Sequence, residues 1–155
     1  MNRLEEVRKV VDAILLAQDD LDERRAGYVH LFGVSDFCSL LALKRAQNPE
    51  LAAVAGMLHD ISTYKRGYSP DHGRLGAQDA REILTRLNSF TDQEIDLICT
   101  AIHHHSDKHT VNSTFCELLK DADVLHHYLY NTSFPVAEKE EQRLAALLDE
   151  LEVQK

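Results

Sequence analysis

The chemistry available to this sequence is concentrated in its histidines, nine in a chain of 155 residues and unevenly placed. His30 continues the apolar stripe Val34, Phe37, Leu41, and His105 continues Ile95, Ile98, Ile102, both at the three-and-four spacing of one helix face. His72 leads into Gly76, Ala80, Ile83 and Leu87 on a third such face. The segment LAAVAGML, residues 51–58, is apolar on every side and ends in His59-Asp60. A helix of that kind is buried all round, and a charged pair at its tip needs a partner because an unpaired buried charge is costly. A metal cation is such a partner. Each of these side chains stands at or near the end of an inward-facing stripe, so they can converge. Imidazole nitrogen and carboxylate oxygen without thiolate suit iron, manganese, cobalt, zinc or magnesium rather than a cysteine-type structural zinc. Further along, in KDADVLHH, Asp121 and Asp123 flank the stripe Phe115, Leu118, Ala122, Leu125, Leu129 on opposite sides. Periodicity does not choose between them.

The elements that must position these residues are helices. Three prolines and six glycines punctuate the chain, and no strand alternation persists. Helices are expected over about 2–18, 22–46, 49–62, 71–88, 92–105, 113–131 and 135–152, with Thr91 as an N-cap and Glu94 completing a capping box. The fold class is therefore all-α, a bundle of about six to seven helices. A single domain is expected over 1–155, with the metal-site core at about 25–130 and a C-terminal amphipathic helix. That helix, with Leu144, Leu147, Leu148 and Leu151 inside, either caps the bundle or meets a second copy, so a homodimer is possible. No apolar run approaches the roughly 20 residues of a membrane span, and the amino terminus has no secretory apolar segment. The expectation is a cytoplasmic protein without a membrane partner. The net charge of −9 repels long polyanions, so no nucleic-acid polymer is expected as a partner. Cys38, Cys99 and Cys116 fall among apolar residues and read as small buried hydrophobes.

His30, then His59-Asp60 in AGMLHDI, then Asp123 in Ala122-Asp123-Val124-Leu125 resembles the HD-domain superfamily of metal-dependent phosphohydrolases, over roughly residues 25–130. The Ala-Asp-x-Leu setting favours Asp123 over Asp121. His72-Gly73-Arg74-Leu75-Gly76-Ala77 is similar to a motif of the family's two-metal branch, and a further histidine of that branch corresponds to His105 or His104. The resemblance implies one divalent metal held by His30, His59, Asp60 and Asp123. Asp60 would bridge to a second held by His72 and His104 or His105. Thr63 stands where branches acting on cyclic dinucleotides often carry lysine, and no Gly-Tyr-Pro follows His105, which disfavours that substrate.

The resemblance implies metal-activated water attacking a small phosphorylated substrate, with a nucleotide as the expected class, and His59 and Asp60 at the catalytic centre. Lys65, Arg66 and Arg74 are the expected substrate-binding cations, with Lys120 a weaker candidate. Tyr28, Phe32, Tyr64 and Tyr68 could stack on a base. His126 reads as core or as support for a ligand, His127 as an ordinary helix residue, His109 as solvated, and His103 lies on the Asp96 and Cys99 side of its helix. Two other classes compete: a di-iron oxygenase using the same ligands, and a non-enzymatic helical sensor or adaptor with a metal site.

Overall fold

Most helices of this chain begin where a side chain takes over the unpaired amide donors of the first turn. Asn2, Asp20, Asn48, Thr91 and Ser113 accept hydrogen bonds from amides two or three residues on, the usual N-cap arrangement. The Thr91–Glu94 pair forms the reciprocal capping box that the sequence predicts. The computed structural model describes residues 2–154. Their helices are α1 (Arg3–Leu16), α2 (Leu21–Lys44), α3 (Pro49–Leu58), α4 (Ile61–Arg66), α5 (His72–Leu87), α6 (Asp92–His104), α7 (Thr114–Tyr130) and α8 (Glu138–Glu150). No strand occurs among the described residues, and the expected all-α bundle is borne out.

The helix expected at 49–62 is two helices. α3 stops at Leu58, His59 is its C-cap, and Asp60 leaves helical geometry at φ −112°, ψ 17° before α4 begins. Successive residues of an unbroken helix point about 100° apart. The corner instead allows His59 and Asp60 to face the same interior space. Gly67, at φ 85°, closes α4, a left-handed position that suits glycine.

α2 is the central helix, packed most extensively against α3 and then α7, while α5 pairs with α6. Although interrupted by polar residues, α2 is long and apolar enough by length and composition to cross a membrane, with mean hydropathy 1.4 over an 18-residue window. The expectation concerned an unbroken apolar run, which α2 does not contain; the helix passes on mean hydropathy instead. In the fold Leu31, Val34, Cys38 and Leu41 of α2 are fully buried, and its apolar character serves the core. α2 and α3 approach closely because Gly56 lacks a Cβ, which would lie 2.7 Å from Ser35 Cα. All eight residues Leu51–Leu58 are buried. Cys38, Cys99 and Cys116 are buried too. α8 lays Leu144, Leu147 and Leu148 against the rest, and Leu129 at the end of the α7 stripe is about half exposed.

Candidate metal centre

His59 is fully buried at the end of α3. Its Nδ1–H donates to the Gly56 carbonyl at 2.7 Å. His72 Nδ1 does the same to Ser69 at 3.0 Å, and His105 Nδ1 to Ile102 at 2.7 Å. Each imidazole bonds a carbonyl three residues back, so in each neutral ring the lone pair falls on the inward-facing Nε2. That proton placement suits a metal ligand. His30 reaches the same state by another route. Burial, reinforced by neighbouring histidines, pushes His126 down to about 4, and its ring hydrogen-bonds the Val29 carbonyl. A neutral His126 donating to Val29 has its lone pair left for the Nδ1–H of His30, 3.2 Å away. Gly33 makes room for that ring, since a Cβ there would fall 2.4 Å from His126 Cδ2.

Two groups of donors result. His30 Nε2 and His59 Nε2 are 3.0 Å apart. Asp60 Oδ2 lies 3.3 Å from the former and 3.5 Å from the latter, and Asp123 Oδ1 lies 3.7 Å from each. On the other side of Asp60, its Oδ1 is 3.1 Å from His105 Nε2 and 3.7 Å from His72 Nε2. Asp60 thus lies between the groups, one oxygen toward each. Asp60 Oδ1 and Asp123 Oδ1 are buried without a hydrogen-bond partner. Lone pairs facing lone pairs in a buried space call for a cation, so these residues fit divalent metal.

Both carboxylates are held ionised. Burial opposes the charge on Asp60, but the positive charge that His59, His105 and His30 carry when protonated outweighs it and keeps the group well below the usual carboxylate range. A bound cation would do the same beside neutral rings. For Asp123 burial is likewise outweighed, chiefly by the Lys108 ammonium and then by His59 and His127 when their rings are protonated. Lys108 Nζ donates to Asp123 Oδ2 at 2.6 Å and to the His105 carbonyl at 2.8 Å. It fixes which oxygen of Asp123 faces the histidines. Sequence reasoning missed this buried lysine because it stands in a loop, where no helical period marks an inward position.

The remaining candidates fall elsewhere. His104 is not in the cluster; with Arg74, Arg81 and His103 it borders a surface groove between α5 and α6. The resemblance left His104 and His105 open, and the fold brings His105 inward because it caps α6 at the turn. Lys65 and Arg66 both engage buried Asp79, the lysine at 2.7 Å, and Arg74 engages Asp71 at 2.6 Å. These three expected substrate cations are committed to carboxylates and do not line the cavity beside His30. Lys120 is fully buried, donating to the Thr110 carbonyl at 2.7 Å and Asn112 Oδ1 at 2.6 Å. Asp121, the alternative carboxylate, pairs with Arg45 at 2.7 Å and Arg143 at 2.8 Å.

The HD domain family matches residues 27–128, which contain all six clustered side chains. This chain belongs to the HD-domain family. Membership bears out the resemblance and makes the protein an enzyme of the metal-dependent phosphohydrolase class. It is also similar to "Putative phosphohydrolase YueE" of Bacillus subtilis (strain 168), 28% identical over 149 positions covering 82% of this chain and 84% of the relative. Among solved structures it resembles one described as a predicted HD superfamily hydrolase from an uncultured Thermotogales bacterium. The TM-score is 0.64 at 22% identity, covering 96% of this chain and 88% of that one. That likeness speaks for the fold.

A cavity of about 330 Å³ opens on His30, lined also by Val29, Tyr64, His126, His127 and Tyr130. It is mostly apolar, with tyrosine side chains and no Lys or Arg in its lining, the character of a pocket for the organic part of a small ligand.

Proposed function

We propose that this HD-family phosphohydrolase cleaves a small phosphate ester, a nucleotide carrying one phosphate group, using water activated by divalent metal. What carries the reading is the convergence of His30, His59, Asp60 and Asp123, with His72 and His105 on the far oxygen of Asp60, around two buried carboxylate oxygens that lack a partner. His30, His59, Asp60 and Asp123 would hold one cation, and Asp60, His72 and His105 a second. Bound divalent metal supplies a water acidic enough to ionise at a pKa of about 7, together with positive charge to offset the phosphate. The chain's own contribution is orientation. Carbonyls of Gly56, Ser69 and Ile102 hold His59, His72 and His105 in the ligating tautomer, and Lys108 turns Asp123 Oδ1 inward. In this reading the cavity beside His30 takes the nucleoside, with Tyr64 and Tyr130 offering ring faces to the base. Lys65, Arg66 and Arg74 are engaged with Asp79 and Asp71. Few cations are then left for additional phosphates, which favours a monophosphate.

The test is elemental analysis of untagged protein beside Asp60→Ala, followed by phosphate release from nucleoside mono-, di- and triphosphates with manganese, cobalt or iron. Two equivalents of metal in the wild type, lost in the variant, with monophosphates turned over best, is the expected result. Oxygen consumption by the iron form without phosphate release would move the protein to the oxygenase class. No metal uptake after reconstitution would leave a helical binding module.

A further inference from the structure

His127 stands on α7 four residues beyond Asp123, on the same side of the helix. Its Nδ1 is 3.1 Å and 3.3 Å from the two carboxylate oxygens of Glu140 on α8, and Glu140 is only 5% exposed. The ring stacks on His30, with centroids 5.6 Å apart and planes inclined by 8°. His127 Nε2 points at Asp123 Oδ1 from 3.3 Å. That oxygen is the buried one without a hydrogen-bond partner. His30, Asp123 and His127 therefore bring three ligand atoms within 4.8 Å of one another.

We propose that His127 is a further protein ligand of the first cation, aimed by the carboxylate of Glu140. The inference rests on the metal-centre reading above. With Nδ1–H given to Glu140, Nε2 is the atom that carries the lone pair when the ring is neutral, the same arrangement that carbonyls impose on His59, His72 and His105. A carboxylate in that position also raises the basicity of the ligand and fixes the ring. An imidazole Nε2 has one lone pair, so His30 serves one cation. The His30–Asp123–His127 group is accordingly an extension of the first position rather than a separate site. His127 approaches it from the open side, where its side chain is 46% exposed and borders the cavity beside His30. Glu140 lies outside the family match at residues 27–128. α8, which that match does not include, thus supplies the group that orients a ligand.

Cobalt(II) affinity and the cobalt absorption spectrum of the full chain test this in the wild type, His127→Gln, Glu140→Gln and, as a control, the exposed His103→Gln. His127→Gln is expected to weaken binding of the first cation and Glu140→Gln to do so by about 10-fold, each with an altered spectrum; His103→Gln should match the wild type. Should Glu140→Gln loosen α8 in thermal melts, His127→Gln alone decides. A His127→Gln protein that binds cobalt with wild-type affinity and spectrum overturns the proposal while leaving the metal centre intact. A wild type that takes up no cobalt overturns both.

Discussion

At the scale of single residues, neighbouring side chains on α7 have been given different work. Asp123 turns one oxygen to Lys108 and the other to the histidines, whereas Asp121 is shared between Arg45 and Arg143. Asp123→Asn should abolish binding of the first cation and, by leaving a buried lysine without its carboxylate, destabilise the fold by about 3–5 kcal/mol. Asp121→Asn should cost about 1–3 kcal/mol and leave metal content unchanged. Urea titration and elemental analysis of the two variants separate these roles. The same comparison applies at the end of α6. His105→Gln should remove the second equivalent of metal, and His104→Gln should remove none, because His104 borders a groove away from the cluster. A loss of metal in His104→Gln would contradict the placement. In the sequence His105 continues the stripe Ile95, Ile98, Ile102, but its neighbour His104 stood as the alternative and spacing alone did not choose between them.

At the scale of elements, the break between α3 and α4 and the closeness of α2 to α3 position the centre. The apolar run at 51–58 and the His59-Asp60 pair are plain in the sequence. The corner is not, because neither residue is a glycine or a proline and nothing local forces a turn. What makes it visible is the pair of surroundings it serves, a buried His59 beside the Gly56 carbonyl and an Asp60 reaching two groups of imidazoles. Gly56→Ala should be destabilising by about 1–3 kcal/mol, since the added methyl would press on the backbone of Ser35 rather than on a flexible side chain. The expected observation is a lower urea midpoint at unchanged slope. A variant as stable as the wild type would mean that α2 and α3 can separate without cost. The Thr91–Glu94 cap, by contrast, was readable in full because its signal is confined to four residues.

At the scale of the whole molecule, ion pairs tie distant segments together. Arg3 of α1 bonds Glu50 at the start of α3 at 2.7 Å and Glu94 at the start of α6 at 2.8 Å. The Arg3 hydrogen bond, helped by the Thr91 amide, lowers Glu94 from 4.5 to about 2. The folded chain therefore binds fewer protons at this group than the unfolded chain between those values. Its contribution to stability is complete above about pH 4.5 and is lost as the pH falls through about 2. The melting temperature of Glu94→Gln should lie below the wild type at pH 7, and the gap should close toward pH 2. A gap that stays constant across that range would place the effect in the cap alone. Metal acts on the whole molecule in the same manner. A cation bound at a thousand times its dissociation constant adds about 4 kcal/mol, a rise of roughly 8–16 °C for a chain of this size. Scanning calorimetry with and without chelator measures it.

By itself the sequence determined most of the helices, their inward faces and the kinds of side chain that cluster, because each of these is written in spacings of three and four residues along one segment. His30, His59, Asp60 and His72 were legible for that reason, and Asp123 through its Ala-Asp-x-Leu setting. Tertiary structure alone decided which atoms meet. His105 rather than His104 turns inward, Lys108 comes from a loop to hold Asp123, and Glu140 on α8 reaches His127 across thirteen residues of chain. It also decided that Lys65, Arg66 and Arg74 are engaged with Asp79 and Asp71. The physical reason is that periodicity reports the burial of a face, which is a local property of a helix. The partner of a charge depends on which other helix is packed beside it.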